Sequence, residues 1–177
     1  ENDAKNILWV RLDRKKKFLA TVFLRALGYS SDEDIIRQFF KVYQVIPEDG
    51  QLYFKVDSQL IGKTVREDIY VPGNTRTSLV KSGTKIDQEV LEKLQSQKVD
   101  RIKISTLDLA GAYSLTNVKG KVKAVEELTA EQIEYLITRG EPFEVFFPAE
   151  EESAQMILNT LRKDPKKDRQ QALSEIY

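Results

Sequence analysis

Cysteine and histidine are both missing from the 177 residues of this chain. Without cysteine there is neither a disulfide framework nor a thiolate metal site, which suits a reducing compartment. Without histidine the commonest general base and metal ligand is gone, leaving carboxylates, Lys and Tyr for any acid–base chemistry. A Ser or Thr nucleophile would have no imidazole beside it, so triad chemistry is excluded. Net charge is missing as well: 28 Lys and Arg face 28 Asp and Glu. Contact with a polyanion must therefore come from local asymmetry. No run approaches the ~18 apolar residues of a membrane span, and Glu1-Asn2-Asp3-Ala4-Lys5 is no apolar signal core. The expectation is a soluble, intracellular chain with no membrane partner. Its abrupt entry into a strand reads as a segment of something longer. The length suits one medium domain or two small ones, enough to bury about 70% of the unfolded surface without a staple.

What is present is organised around Val10-Arg11-Leu12-Asp13-Arg14-Lys15-Lys16-Lys17-Phe18-Leu19-Ala20-Thr21. This reads as a short strand, four consecutive cations, and the apolar start of a helix that Gly28 would stop. Four adjacent like charges repel, so folding alone gives no reason to place them between ordered elements. As a bare run they are a solvated basic turn, and a polyanion partner is the alternative.

Further along, Ser30-Ser31 caps a helix with Asp32, Glu33 and Asp34 in its first turn and Ile35, Ile36, Phe39 and Phe40 as its apolar stripe. The period then changes. Strand-like segments over 41–46 and 51–56 flank Pro47-Glu48-Asp49-Gly50, a hairpin signal. Two more, over 68–71 and 77–81, flank Pro72-Gly73-Asn74. An internal repeat follows at an offset of 42: Ile86-Asp87 to Leu94 aligns with Leu128-Thr129 to Leu136. Asp87 and Thr129 fall at matching N-caps, and Thr129 with Gln132 makes a capping box. Each copy reads as strand, short helix, strand, over about residues 77–105 and 119–147. A helix from Glu152 to Lys163 and a last one from Asp168 to Tyr177 close the chain. The fold class is thus α+β: a helical host subdomain from both chain ends (1–40 and 150–177), interrupted by a β-rich insertion (41–149) carrying the two repeats.

Catalytic and metal-binding candidates do not survive. Gly62-Lys63-Thr64 resembles the end of a phosphate loop, but the earlier glycine it needs is Asp57. The acidic runs at 32–34 and 150–152 open helices, where the dipole explains them. Tyr43, Tyr53 and Phe54 read as sheet and core aromatics rather than base platforms, and Trp9 as half-buried in its strand. No cofactor is called for. A binding or structural piece remains.

Residues 10–17, followed by Ala20-Thr21-Val22-Phe23-Leu24-Arg25-Ala26-Leu27-Gly28-Tyr29, closely resemble a segment of the β subunit of bacterial DNA-directed RNA polymerase. Thr160-Leu161-Arg162-Lys163-Asp164-Pro165 through Ser174-Glu175-Ile176-Tyr177 is similar to the same subunit's helix returning from an insertion. The module between them loosely resembles the lineage-specific insertion of that lobe. The resemblance implies the lobe that walls the main DNA cleft of a nucleotidyltransferase, with catalytic aspartates on another subunit and none here. It implies DNA-binding roles for Arg11, Asp13, Arg14, Lys15, Lys16 and Lys17, near the non-template strand and downstream duplex. Other polymerase subunits would be partners, transcription regulators could dock on the insertion, and the location would be cytoplasmic and nucleoid-associated. Two departures stand out. Lys replaces the family's more usual Arg at several basic positions, losing bidentate phosphate geometry. The family's base-stacking tryptophan lies upstream and is not Trp9. A docking scaffold with no direct DNA role is the alternative, and an adapter unrelated to polymerase the third reading.

Overall fold

The computed structural model describes residue 7 and residues 9–12, 16–20 and 31–163. In chain order the elements are β1 (Trp9–Leu12), β2 (Lys16–Leu19), α1 (Asp32–Phe39), β3 (Val42–Glu48), β4 (Gln51–Lys55), β5 (Ile69–Val71), β6 (Asn74–Val80), α2 (Gln88–Ser96), β7 (Arg101–Ile104), β8 (Tyr113–Ser114), β9 (Glu126–Glu127), α3 (Ala130–Arg139), β10 (Phe143–Phe146) and α4 (Gln155–Lys163). Helices and antiparallel sheet are mixed, so the class is α+β. The chain divides into two compact units, one comprising Val42–Phe146 and the other the residues on either side of it.

In the flanking unit, α1 starts where its sequence signals place it. Ser31 Oγ accepts from Asp34 N at 3.0 Å and Asp34 Oδ2 accepts from Ser31 N at 3.4 Å, a reciprocal capping box. Arg37 in the last turn pairs with Glu33 at 2.6 Å, one turn back. Ile35 and Ile36 are fully buried, and α1 packs on α4, whose Ile157, Leu158 and Leu161 are buried. Thr160, also fully buried, donates its hydroxyl to Met156 O at 2.6 Å and so leaves no orphan polar group. The α-helix begins at Gln155 and not at Glu152; 3-10 turns over Pro148–Glu150 and Glu152–Ala154 lead into it. The Gln155 side chain ties that entry down by donating to Pro148 O. The helix expected from Phe18 is corrected at its start: Phe18 and Leu19 belong to β2, paired antiparallel with β1. The Gly28 stop and the helix expected from Asp168 lie outside the described residues.

The Val42–Phe146 unit is built on the β3–β4 hairpin. Asp49 and Gly50 have φ of 50° and 75°, the two left-handed residues of a type I′ turn, whose twist matches the strands it joins. The ladder runs through Pro47, opposite Leu52, to a closing pair Glu48–Gln51, so the turn is two residues rather than four. Strand order in the sheet is β7-β4-β3-β10-β8-β9, all antiparallel. Val45, Leu60, Leu94, Leu109, Leu136, Phe143 and Val145 fill the core at 1% exposure or less.

The first copy runs strand, helix, strand as β6, α2 and β7, and hydrogen bonding carries the likeness between the two copies further back. Each copy is a 3-10 turn, a short antiparallel bridge, a capped helix and a strand. In the first, Ile61 N donates to Ser58 O and Lys63 N to Leu60 O; in the second, Ala110 N donates to Leu107 O and Ala112 N to Leu109 O. Gly62 (φ 99°) and Gly111 (φ 77°) make the same left-handed bend. The bridge closes by Ile86 N to Lys63 O in one and Leu128 N to Ala112 O in the other. Asp87 Oδ1 then caps α2 through Val90 N at 2.8 Å, as Thr129 Oγ1 caps α3 through Gln132 N at 3.1 Å. β7 follows onto β4, and β10 onto β3. The leading strand read at Val122-Lys123 is absent; Val122 makes only an isolated bridge to Val118. The first copy carries the β5–β6 arm in place of that loop.

Candidate nucleic-acid interface

The basic stretch is shaped by a hairpin. Register pairs Trp9 with Leu19, Val10 with Phe18, Arg11 with Lys17 and Leu12 with Lys16. Lys16 and Lys17, read from sequence as part of a free turn, are therefore strand residues. A cation-to-cation pair at directly opposed positions disfavours a sheet by a few tenths of a kcal/mol to about 1 kcal/mol. The register sets Arg11 and Lys17 at such a directly opposed position. Asp13, Arg14 and Lys15, which connect the strands, lie outside the described residues. Trp9 is half-buried.

Several cations elsewhere among the described residues are engaged within the protein. Lys63 Nζ lies 4.6 Å from the Tyr43 ring centroid and 5.8 Å from that of Phe54. Those two rings are buried and 5.4 Å apart, so neither can stack on a base. The Arg101 guanidinium covers Tyr53 at 4.6 Å and pairs with Glu48. Lys103 reaches Glu67 at 3.8 Å and Lys123 reaches Glu126 at 3.7 Å.

One polar constellation was not legible in the sequence as a unit. Arg66 holds Asp108 with two hydrogen bonds, of 2.7 and 2.8 Å, across 42 residues of chain. Asp108 Oδ2 also accepts from Ser105 N at 2.8 Å, capping the 3-10 turn Thr106–Leu109. Burial would raise the Asp108 carboxyl, but the bonds from Arg66 and Ser105 outweigh it and hold the group below the usual carboxylate range. Ser105-x-x-Asp108 could have been read as a capping box; nothing in the sequence names Arg66 as the partner. The pair ties the stretch before the β5–β6 arm to the second repeat. Among the described residues, no group of three or more carboxylates is placed to hold a metal ion, and no helix is long and apolar enough to cross a membrane.

Compared with known families, residues 1–139 match the family model described as RNA polymerase Rpb2, domain 2. The chain belongs to this family. It is 38% identical over 190 residues to the DNA-directed RNA polymerase subunit beta of Koribacter versatilis (strain Ellin345), an alignment taking in 100% of this chain and 13% of that one. It is 37% identical over 184 residues to the subunit of the same name from Solibacter usitatus (strain Ellin6076), with the same coverage. A third, from Syntrophus aciditrophicus (strain SB), is 37% identical over 109 residues, covering 62% of this chain and 8% of the relative. This Rpb2 domain 2 chain thus spans 13% of the length of the first two relatives. The family match runs from residue 1, ahead of the β1–β2 hairpin, to Arg139, the last residue of α3. It therefore takes in both the basic stretch and both repeat helices.

Proposed function

We propose that this chain forms part of the DNA-cleft wall of a bacterial DNA-directed RNA polymerase, as a piece of its β subunit. It carries no catalytic residue and no cofactor of its own, and it works in the cytoplasm, on the nucleoid. In this reading Arg11, Arg14, Lys15, Lys16 and Lys17 supply positive potential toward the phosphates of the non-template strand and the downstream duplex. Asp13 sits among them near that strand. The observation that carries the reading is the family match over the stretch that holds four consecutive cations, Arg14 to Lys17. The other polymerase subunits are the remaining partners, and nucleotide transfer takes place elsewhere in the enzyme.

The flanking unit is the host in this proposal and Val42–Phe146 the insertion. Support comes from the position of the unit's two ends. Val42 and Phe146 are direct cross-strand partners, with Cα atoms about 5 Å apart. A module whose entry and exit meet at one rung can be added to a host without moving it.

If about three basic side chains meet phosphates, the slope of log affinity against log salt is near −2.7, so a fourfold rise in salt weakens binding roughly 40-fold. In the intact polymerase, replacing Arg14, Lys15, Lys16 and Lys17 by Ala should shorten open-complex lifetime and flatten its salt dependence. An unchanged lifetime with an unchanged slope refutes the DNA-facing role.

A further inference from the structure

Between Gly62 and α2 the first repeat sends out the β5–β6 arm, where the second repeat has the loop bridged at Val118 and Val122. The stem of the arm is built into the unit. Gly83 N donates to Val65 O at 2.7 Å and Val65 N to Thr84 O at 2.8 Å. Ser82 N donates to Asp68 Oδ1 at 2.7 Å, and the Ser82 hydroxyl to Arg66 O at 3.0 Å. Val65 and Val80 are buried there. Beyond the stem the arm stands in solvent. Residues 72–77 are all exposed, and among the described residues the arm's one extensive packing contact is between its own two strands. A two-stranded ribbon with nothing against its faces is marginal in water. A clamped base and an uncovered blade suit an element that is covered by something outside the chain.

Charge and side-chain type say what that is. Residues 69–86 hold Arg76, Lys81 and Lys85 and no Asp or Glu, in a chain where the two signs are equal in number. All three cations are exposed, and none makes an ion pair with another described residue. The loop of the second copy differs: Lys121 lies over the Tyr135 ring at 5.6 Å and Lys123 reaches Glu126 at 3.7 Å. The acids just ahead of the arm are already engaged, Glu67 by Lys103 and Asp68 by Ser82. The other exposed side chains of the arm include Asn74, Thr75, Thr77 and Tyr70, the last 40% exposed. Amide and hydroxyl groups beside cations are the set that contacts phosphate and sugar. Paired strands lie about 4.8 Å apart, so a ribbon fits the DNA major groove, which is about 12 Å wide.

We propose that the β5–β6 arm is a contact for duplex DNA, entering the major groove as a ribbon with Arg76 and Lys81 against the phosphates of its walls. The arm goes beyond the cleft-wall reading, which uses the basic stretch of the other unit, and either can fail without the other.

The test is a salt series of fluorescence anisotropy with the full chain and a short mixed-sequence duplex. Arg76→Ala with Lys81→Ala should lower the slope of log affinity against log salt by about 1.8, the loss of two phosphate contacts. Arg76→Lys with Lys81→Arg should keep the slope, and circular dichroism melting should be the same for all three chains. Because the chain has no cysteine, Thr75→Cys also gives a single attachment point for iron–EDTA, and that chain should cut the bound duplex. An unchanged slope and affinity in the alanine chain, or a bound duplex left uncut, overturns the proposal. So does polyglutamate binding as tightly as the duplex, because an acidic protein segment would then be the occupant. Loss of binding confined to a chain with Arg14, Lys15, Lys16 and Lys17 changed to Ala overturns the arm and leaves the cleft-wall reading standing.

Discussion

At the scale of single residues the positions that matter most are those with no exposure and no way to relax. Leu136 is fully buried between α3 and the sheet, and truncating it to Ala leaves a cavity that close packing does not refill. Leu136→Ala should cost about 2–5 kcal/mol, read from urea unfolding monitored by circular dichroism. Asp108 offers a pH test with a definite sign. Its carboxyl is held below its ordinary value of 3.8, so its contribution is fully present above that value and lost as pH falls through the lower folded one. The melting-temperature gap between wild type and Asp108→Asn should be constant near neutrality and close under strongly acidic conditions. A gap that widens toward acid contradicts the assignment. Apolar positions such as Leu94 and Leu136 were legible as a repeat because helix periodicity is local. The Arg66–Asp108 pair was not, because a salt bridge across 42 residues is chosen by chain topology.

At the scale of elements, caps and turns were read well and strand ends less so. The capping boxes at Ser31 and Thr129 follow from residues three apart, which no distant contact can rearrange. Thr129→Ala should cost about 1 kcal/mol, with the loss seen as earlier thermal melting. Asp49-Gly50 was inside the expected turn, yet the ladder continued through Pro47 because its partner Leu52 holds it in register. A Cβ at Gly50 would meet nothing within 4 Å, so Gly50→Ala tests the left-handed conformation alone and should cost about 1 kcal/mol. The basic stretch shows the opposite failure. Lys16-Lys17-Phe18-Leu19 suits the start of an apolar helix as well as a strand. Only pairing with Trp9–Leu12 decides for the strand, and backbone ladders are not visible in one strand's own sequence.

At the scale of the whole molecule, the division at Val42 and Phe146 makes a further expectation. Because those two residues pair directly, a chain of residues 42–146 should fold alone with a single cooperative thermal transition. A broad, non-cooperative melt would show that the unit needs its flanks. The sequence by itself determined the absence of cysteine and histidine chemistry, the α+β class, the duplicated helices with their caps, and the family. All of these rest on composition or on patterns a few residues long. Only the tertiary structure decided that the likeness between the copies starts at a 3-10 turn and that β7 and β10 flank a central hairpin. Those outcomes depend on which distant segments share a ladder or a core, and pairing of that kind is fixed by closing loops across the chain rather than by any one stretch of it.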